Sequence, residues 1–338
     1  DNLKGEAEMS NAIIKKEIEE IINSVIGKVE QNYVFPDVAK SVKEKIYSNL
    51  KEEKYILIDN LEDLCKVLTN HLQEITKDKH LVVFNRPSTS LQPIQKSIQE
   101  LMLEDEIRKG KVENYGVHKI ERLNGNIGYL DIRKFYSVHL GAEAIISAMS
   151  SVASTDALII DLRKNGGGRV EMVNFLASYF FEESTHINSI YNRTEDTTIQ
   201  SWTQAFLPGK KYLNKPIYLL TSNFTFSGGE AFAYTLKHFN KAKVIGEVTG
   251  GGAHPVMFAQ IAESIRIRIP NRRSISPITN TNWEGTGVTP DIKINKEKAF
   301  DYAYKEALSY VRDKYEVEAN FDFLIKEIED ALIKLTKT

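Results

Sequence analysis

Apolar positions in the first eighty residues recur at helical spacing. Three such stretches, about 9–30, 37–50 and 60–77, are separated by Tyr33-Val34-Phe35-Pro36 and by an apolar run before Asp59, with Asn60 suited to cap the third. Farther along the pattern changes. Short continuous apolar runs at Ala157–Leu162 and Ile217–Leu220 read as buried parallel strands, and each is followed by a turn and then a helix. The first helix is Val170–Phe181; the second is Glu230–Phe239, with Phe232, Leu236 and Phe239 at helical spacing. Residues 81–125 read as a strand, a helix near 92–109 and a connecting strand, and 315–337 as a terminal helix. The organisation expected is a helical bundle at 1–80, a connecting segment at 81–113, an α/β core at 114–312 and a C-terminal helix at 313–338.

The two strand–turn–helix units carry the candidate chemistry. Asn165-Gly166-Gly167-Gly168 fills the first turn, and three successive glycines permit positive φ and close approach of backbone to a ligand. Ser227 stands in the second turn, just before a helix N-terminus, where unpaired N–H groups and the helix dipole would stabilise an oxyanion. A serine there can equally serve only as an N-cap. Strands of a parallel sheet share one carboxyl edge, so both loops are expected to open onto one crevice. A phosphate-binding loop ranks lower, because the sequence lacks the lysine of G-x-x-x-x-G-K-[ST] and the G-x-G-x-x-G spacing.

Four motifs, in order, give the chain a resemblance to the C-terminal processing (tail-specific) serine peptidases. They are Asp161-Leu162-Arg163 with Asn165–Gly168, then Thr221-Ser222 with Thr225-Phe226-Ser227 and Glu230, then Gly246-Glu247 with Thr249–Pro255, and Trp283–Ile292. A weaker likeness runs through Asn126–Leu130 and from Trp202 to Pro216, so that most of 114–293 is covered. The branch it looks most like includes the tricorn core protease and the modules of interphotoreceptor retinoid-binding protein. That resemblance implies an α/β fold with a crotonase/Clp-like β/α superhelix core after a small N-terminal helical bundle, and no inserted PDZ domain is seen. It also implies that Ser227 is the nucleophile, His80 the base and Glu284 the third member of a triad, with Gly228 and Gly167 supplying oxyanion donors. Gly252 stands where the lysine-using branch carries its base, which argues against a Ser–Lys dyad. His254, after three glycines, competes with His80 as base or lines the substrate groove together with Gly251, Gly252 and Trp202. Lys79 replaces a serine that the tricorn protease carries before its histidine. Implied substrates are short or unfolded peptides; the alternative is a non-catalytic module carrying a retinoid or fatty acid, since the same fold serves both.

Composition narrows the picture further. The 338 residues are 42% hydrophobic, enough for a substantial core. A formal net charge of −2 argues against a nucleic-acid partner. The single cysteine, Cys65, excludes an internal disulfide, and no H-E-x-x-H or paired C-x-x-C pattern points to zinc, so no metal or cofactor is expected. No apolar run reaches membrane-spanning length, and stable membrane insertion is not expected. A start at Asp1 suggests that an upstream segment has been removed, and the likeness favours a bacterial periplasmic or secreted location.

Overall fold

The computed structural model describes residues 2–55, 58–86 and 97–336. In chain order the elements begin with helices α1 (Asn2–Asn32), α2 (Pro36–Lys51) and α3 (Leu61–Thr76), strand β1 (Val82–Asn85) and helix α4 (Ile98–Val112). Next come β2 (Val117–Leu123), β3 (Ile127–Ile132), α5 (Val138–Val152), β4 (Ala157–Asp161), α6 (Val170–Ala177), β5 (His186–Asn192) and β6 (Thr197–Trp202). The chain continues through β7 (Ile217–Thr221), α7 (Gly228–His238), β8 (Lys243–Gly246), β9 (Val256–Gln260), β10 (Ile265–Pro270) and β11 (Arg272–Ile275). It ends in β12 (Ile292–Lys293), α8 (Lys296–Tyr315) and α9 (Asp322–Leu335). The helix expected near 92–109 is α4, and residues 92–96 of that expectation lie outside the described residues.

These elements form two compact units. The first comprises residues 1–101, 190–198 and 254–274; the second comprises 102–189, 199–253 and 275–338. The division is therefore not the linear one read from sequence, because 254–274, expected inside the core, belong with the N-terminal helices. The reason is visible in the strand pattern. Ile265, Ile267 and Ile269 of β10 alternate with Arg266 and Arg268, and the three isoleucines are fully buried in one core with Ile22, Val25, Val42, Ile46, Leu68 and Leu72. Each such aliphatic side chain stabilises the unit by about 1.5–3 kcal/mol relative to exposure. Strand β10 lies between β1 and β9 in an antiparallel sheet, with Val83 opposite Ile267 and Ala259 opposite the same residue. Local signals close the helices as the sequence suggests: Pro36 opens α2, and the Asn60 side chain accepts the Asp63 N–H at 2.8 Å to open α3.

The second unit is built on a six-stranded sheet of order β12-β8-β7-β4-β3-β2, parallel except for the β2–β3 pair. Its central strands β4 and β7 are buried along their whole length, which is why they read as continuous apolar runs. One face packs against α5, α6 and α7 through Ile145, Met149, Leu176, Phe232 and Leu236. The other face packs against α8 and α9 through Ala299, Ala303, Leu308 and Ile328. Strands β5, β6 and β11 form a third sheet, in the order β11-β5-β6.

Candidate active site

Strands β4 and β7 run side by side with Asp161 opposite Leu220, so the loops that leave them emerge together. They are laced by hydrogen bonds. Thr225 Oγ1 donates to the Leu162 carbonyl at 2.7 Å, Ser222 Oγ to the Arg163 carbonyl at 2.6 Å, and the Phe226 N–H to the Asn165 carbonyl at 3.0 Å. Ser222 and Thr225 are fully buried, so their hydroxyls hold the turn and do not face a substrate. Asp161 is likewise architectural: Arg163 clamps its carboxylate through Nε (2.9 Å) and Nη2 (2.6 Å).

Ser227 is different in kind. It lies half-buried at the mouth of α7 with φ 52° and ψ −115°, a left-handed-side conformation that costs a non-glycine residue about 1–3 kcal/mol. The cost is tolerated because the neighbours leave no alternative. A Cβ on Gly167 (φ 100°) would lie 2.7 Å from Ser227 Cβ and 2.9 Å from the Gly228 nitrogen, so only glycine lets the two loops meet. Gly167 donates its own N–H to Asn165 Oδ1 at 2.8 Å. The Phe135 N–H donates to the Gly167 carbonyl at 2.9 Å and the Arg169 N–H to the Phe135 carbonyl at 2.8 Å, and a Cβ on Gly228 would lie 3.1 Å from the Gly168 nitrogen. Arg169 is anchored in turn by Glu106 of α4 at 2.6 Å, and Glu106 also accepts the Ser137 N–H at 2.7 Å. Burial works against the Glu106 carboxylate, but Arg169 and Ser137 outweigh it and its pKa lies below the ordinary range.

Glu230, quoted from sequence only as part of a motif, organises this side of the site. Its fully buried carboxylate accepts four hydrogen bonds, from the Ser227 N–H (2.8 Å), Thr249 Oγ1 (2.5 Å), the Gly251 N–H (2.6 Å) and the Gly252 N–H (2.8 Å). Burial raises its pKa against the pull of those donors. The spacing Ser227-x-x-Glu230 was the available signal, since a glutamate three residues after a helix-capping serine reaches back to that residue's N–H. Gly251 and Gly252, expected to line the groove, have their N–H groups committed to Glu230, and the Gly252 carbonyl accepts Trp283 Nε1 at 2.9 Å. Glu284 is half-buried in the turn after Trp283, and its Oε2 accepts the N–H of Ala253 at 2.5 Å. Trp202 ends β6 with its indole stacked on His186, centroids 5.4 Å apart, and it is about half exposed.

His80 and His254 both belong to the helical unit, and a residue not singled out from sequence connects them. Asp78 is almost completely buried; its Oδ1 accepts the His80 backbone N–H at 3.0 Å and its Oδ2 pairs with His254 Nδ1 at 2.7 Å and Tyr33 Oη at 3.4 Å. Burial is the main reason that the His80 imidazole falls to a pKa of about 4; Asp78 pulls it up, while Arg268 and His254 push it down. Arg268 further fixes this segment by donating from Nε to the His80 carbonyl at 2.8 Å. Asp78 and His254 are 176 positions apart, so only the general expectation that a buried carboxylate needs partners could have flagged the pair.

A strained serine at a helix N-terminus, packed against a glycine loop on the carboxyl edge of a parallel sheet, marks an α/β protein whose candidate chemistry sits in a strand-to-helix turn. The chain belongs to Peptidase family S41, which matches residues 126–294, and residues 9–115 match the N-terminal domain of Peptidase S41 in eukaryotic IRBP. Among curated relatives it is similar to a protein named as a CtpA-like serine protease of Staphylococcus epidermidis, 26% identical over 176 residues, which are 52% of this chain and 35% of that protein. The match thus spans about a third of the relative's length. Two solved structures share the fold: a lipoprotein from Streptococcus agalactiae (15% identity, TM-score 0.57, 88% of this chain and 96% of that one) and the tricorn protease (15%, 0.57, 87% and 37%).

Proposed function

We propose that the protein is a serine endopeptidase acting on short or unfolded peptides, with Ser227 as nucleophile, His80 as general base and Glu284 as the carboxylate of the triad. The observation that carries this reading is the conformation of Ser227, held at positive φ against Gly167 where a capping role alone would not need it. Ser227 Oγ attacks the peptide carbonyl as its proton passes to the His80 imidazole, which then protonates the leaving amine; water, deprotonated by the same imidazole, releases the acyl group. The N–H groups of Gly228 and Gly168 receive the oxyanion, with Gly168 taking the role first expected of Gly167 because the Gly167 N–H is already donated within the loop. His80 is neutral well into the acid range, as a proton acceptor must be. No helix among the described residues is long and apolar enough to cross a membrane. The resemblance to tail-specific peptidases favours an extracytoplasmic site of action.

A serine-directed fluorophosphonate tests the reading. Wild type is expected to be labelled and Ser227→Ala not. Failure of the folded wild type to label, together with saturable binding of a retinoid or fatty acid, would favour the carrier reading instead.

A further inference from the structure

We infer that Asp78 is the positioning residue of the histidine side, setting two imidazoles with one buried carboxylate; this rests on the peptidase reading above. The local part of the arrangement is a turn. Lys77 ends α3 in the left-handed conformation (φ 55°), the Asp78 N–H donates to Thr76 Oγ1 at 3.2 Å, and Asp78 Oδ1 receives the His80 N–H two residues on. Such a turn fixes the direction in which the backbone presents His80, but on its own it would need only one oxygen and no burial. What the turn does not explain is the second oxygen. Oδ2 is committed to His254 Nδ1 at 2.7 Å, with His254 itself almost completely buried and its ring edge-on to Phe35, centroids 5.5 Å apart.

A carboxylate that receives Nδ1–H fixes the neutral tautomer of an imidazole and leaves Nε2 as the basic nitrogen. Asp78 therefore decides the tautomer of His254 and the backbone of His80 together, and Tyr33 Oη adds a third donor that keeps the carboxylate from turning. His254 accordingly acts as a brace on Asp78, and the segment 78–80 is held between α3 and the start of β1. A buried carboxylate with an aspartate's short side chain has few rotamers to choose from, so loss of any one of these donors loosens the rest.

Steady-state kinetics on a short fluorogenic peptide, with the full chain, test the assignment. Asp78→Asn is expected to lower kcat by about 30-fold or more with KM within about threefold, as for a group that orients a base without touching substrate. His254→Gln should lower kcat by about tenfold, and the double variant should be no worse than Asp78→Asn because the two act as one unit. A second readout is independent of activity. The low-field proton resonance of His254 Nδ1–H is expected in wild type and in Ser227→Ala, lost in His254→Gln and shifted upfield in Asp78→Asn. Should Asp78→Asn fail to fold by circular dichroism, His254→Gln decides both readouts. A wild-type kcat in Asp78→Asn, or a wild type without the His254 resonance, would overturn the inference. If Ser227→Ala remained active while the resonance behaved as expected, the assignment of Ser227 as nucleophile would fail and the Asp78–His254 couple would stand.

Discussion

The serine side and the histidine side are built by opposite means. Around Ser227 the working parts are backbone groups: the N–H of Gly228, the loop Asn165–Gly168 and the turn at 222–227, all drawn from two stretches that each follow a strand. Around His80 the working parts are side chains collected from Tyr33, Asp78, His254 and Arg268, which lie on four separate stretches of one unit. Backbone sites demand glycine and particular φ values, and those demands are written locally. Side-chain sites demand only that the fold bring the right atoms together, and that is written nowhere in particular.

The largest effect is expected at Ser227, the proposed nucleophile. Ser227→Ala should lower kcat by about a thousandfold or more while unfolding remains cooperative, since one hydroxyl at a half-exposed position contributes less than ~1 kcal/mol to stability. Adding His80→Ala to it should cost almost nothing further if the two act as the proposed nucleophile and base. A retained tenth of turnover would move the nucleophile away from Ser227. Ser222 and Thr225, buried and bonded to carbonyls, are poor substitutes.

This contrast also explains what the sequence disclosed. The helices at 37–50 and 60–77, strands β4 and β7 and the glycine loop were legible because each is a local pattern, apolar period or glycine run, that neighbouring residues suffice to specify. The alternation Ile265-Arg266-Ile267-Arg268-Ile269 equally announces a strand, but its partners β1 and β9 and its allegiance to the helical unit depend on a core assembled from distant residues. Glu230 was visible only as part of a motif, and its bonds to Gly251 and Gly252 were not, because those come from a loop about twenty residues on. His80 was named through resemblance alone, and Asp78, whose carboxylate accepts the His80 N–H, was not singled out although it stands two residues away.

The next effect sharpens the backbone half. Gly167→Ala places a methyl 2.7 Å from Ser227 Cβ at φ 100°, where an L side chain is strained. The fold should lose about 3–4 kcal/mol, and turnover should drop by at least ~100-fold through displacement of Ser227. Urea unfolding and peptide kinetics measure the two together. An unaffected Gly167→Ala would mean that the loops do not constrain the serine.

The histidine half makes its own contribution through pH. The folded pKa of His80, about 4, lies below the ordinary value of ~6.5, chiefly because the ring is buried. Between those two values the unfolded chain binds a proton that the folded chain does not, so the stability due to neutral His80 is complete above pH ~6.5 and is lost as pH falls toward 4, by about 3 kcal/mol. His80→Gln should remove that part of the slope when unfolding free energies at pH 7 and 4.5 are compared with wild type. In catalysis the same burial should carry the acid limb of kcat/KM below the pH at which an exposed histidine would impose it. Identical pH slopes for wild type and His80→Gln would show that the ring is solvated.

The smallest effect is expected at Trp202, which belongs to neither construction. Its ring is about half exposed, stacked on His186 and bonded to Gln200, Nε1 donating to Oε1 at 3.1 Å. So little is buried that Trp202→Ala should change stability by no more than ~0.5 kcal/mol. An exposed indole with one polar edge is nevertheless well suited to hold a peptide by its apolar face, and such contacts act on ground state and transition state alike. Trp202→Ala is therefore expected to raise KM for a long peptide about fivefold with kcat unchanged, and to have less effect on a peptide too short to reach it. Equal KM values for both peptides in wild type and variant would take Trp202 out of the groove and leave its stacking on His186 as its whole role.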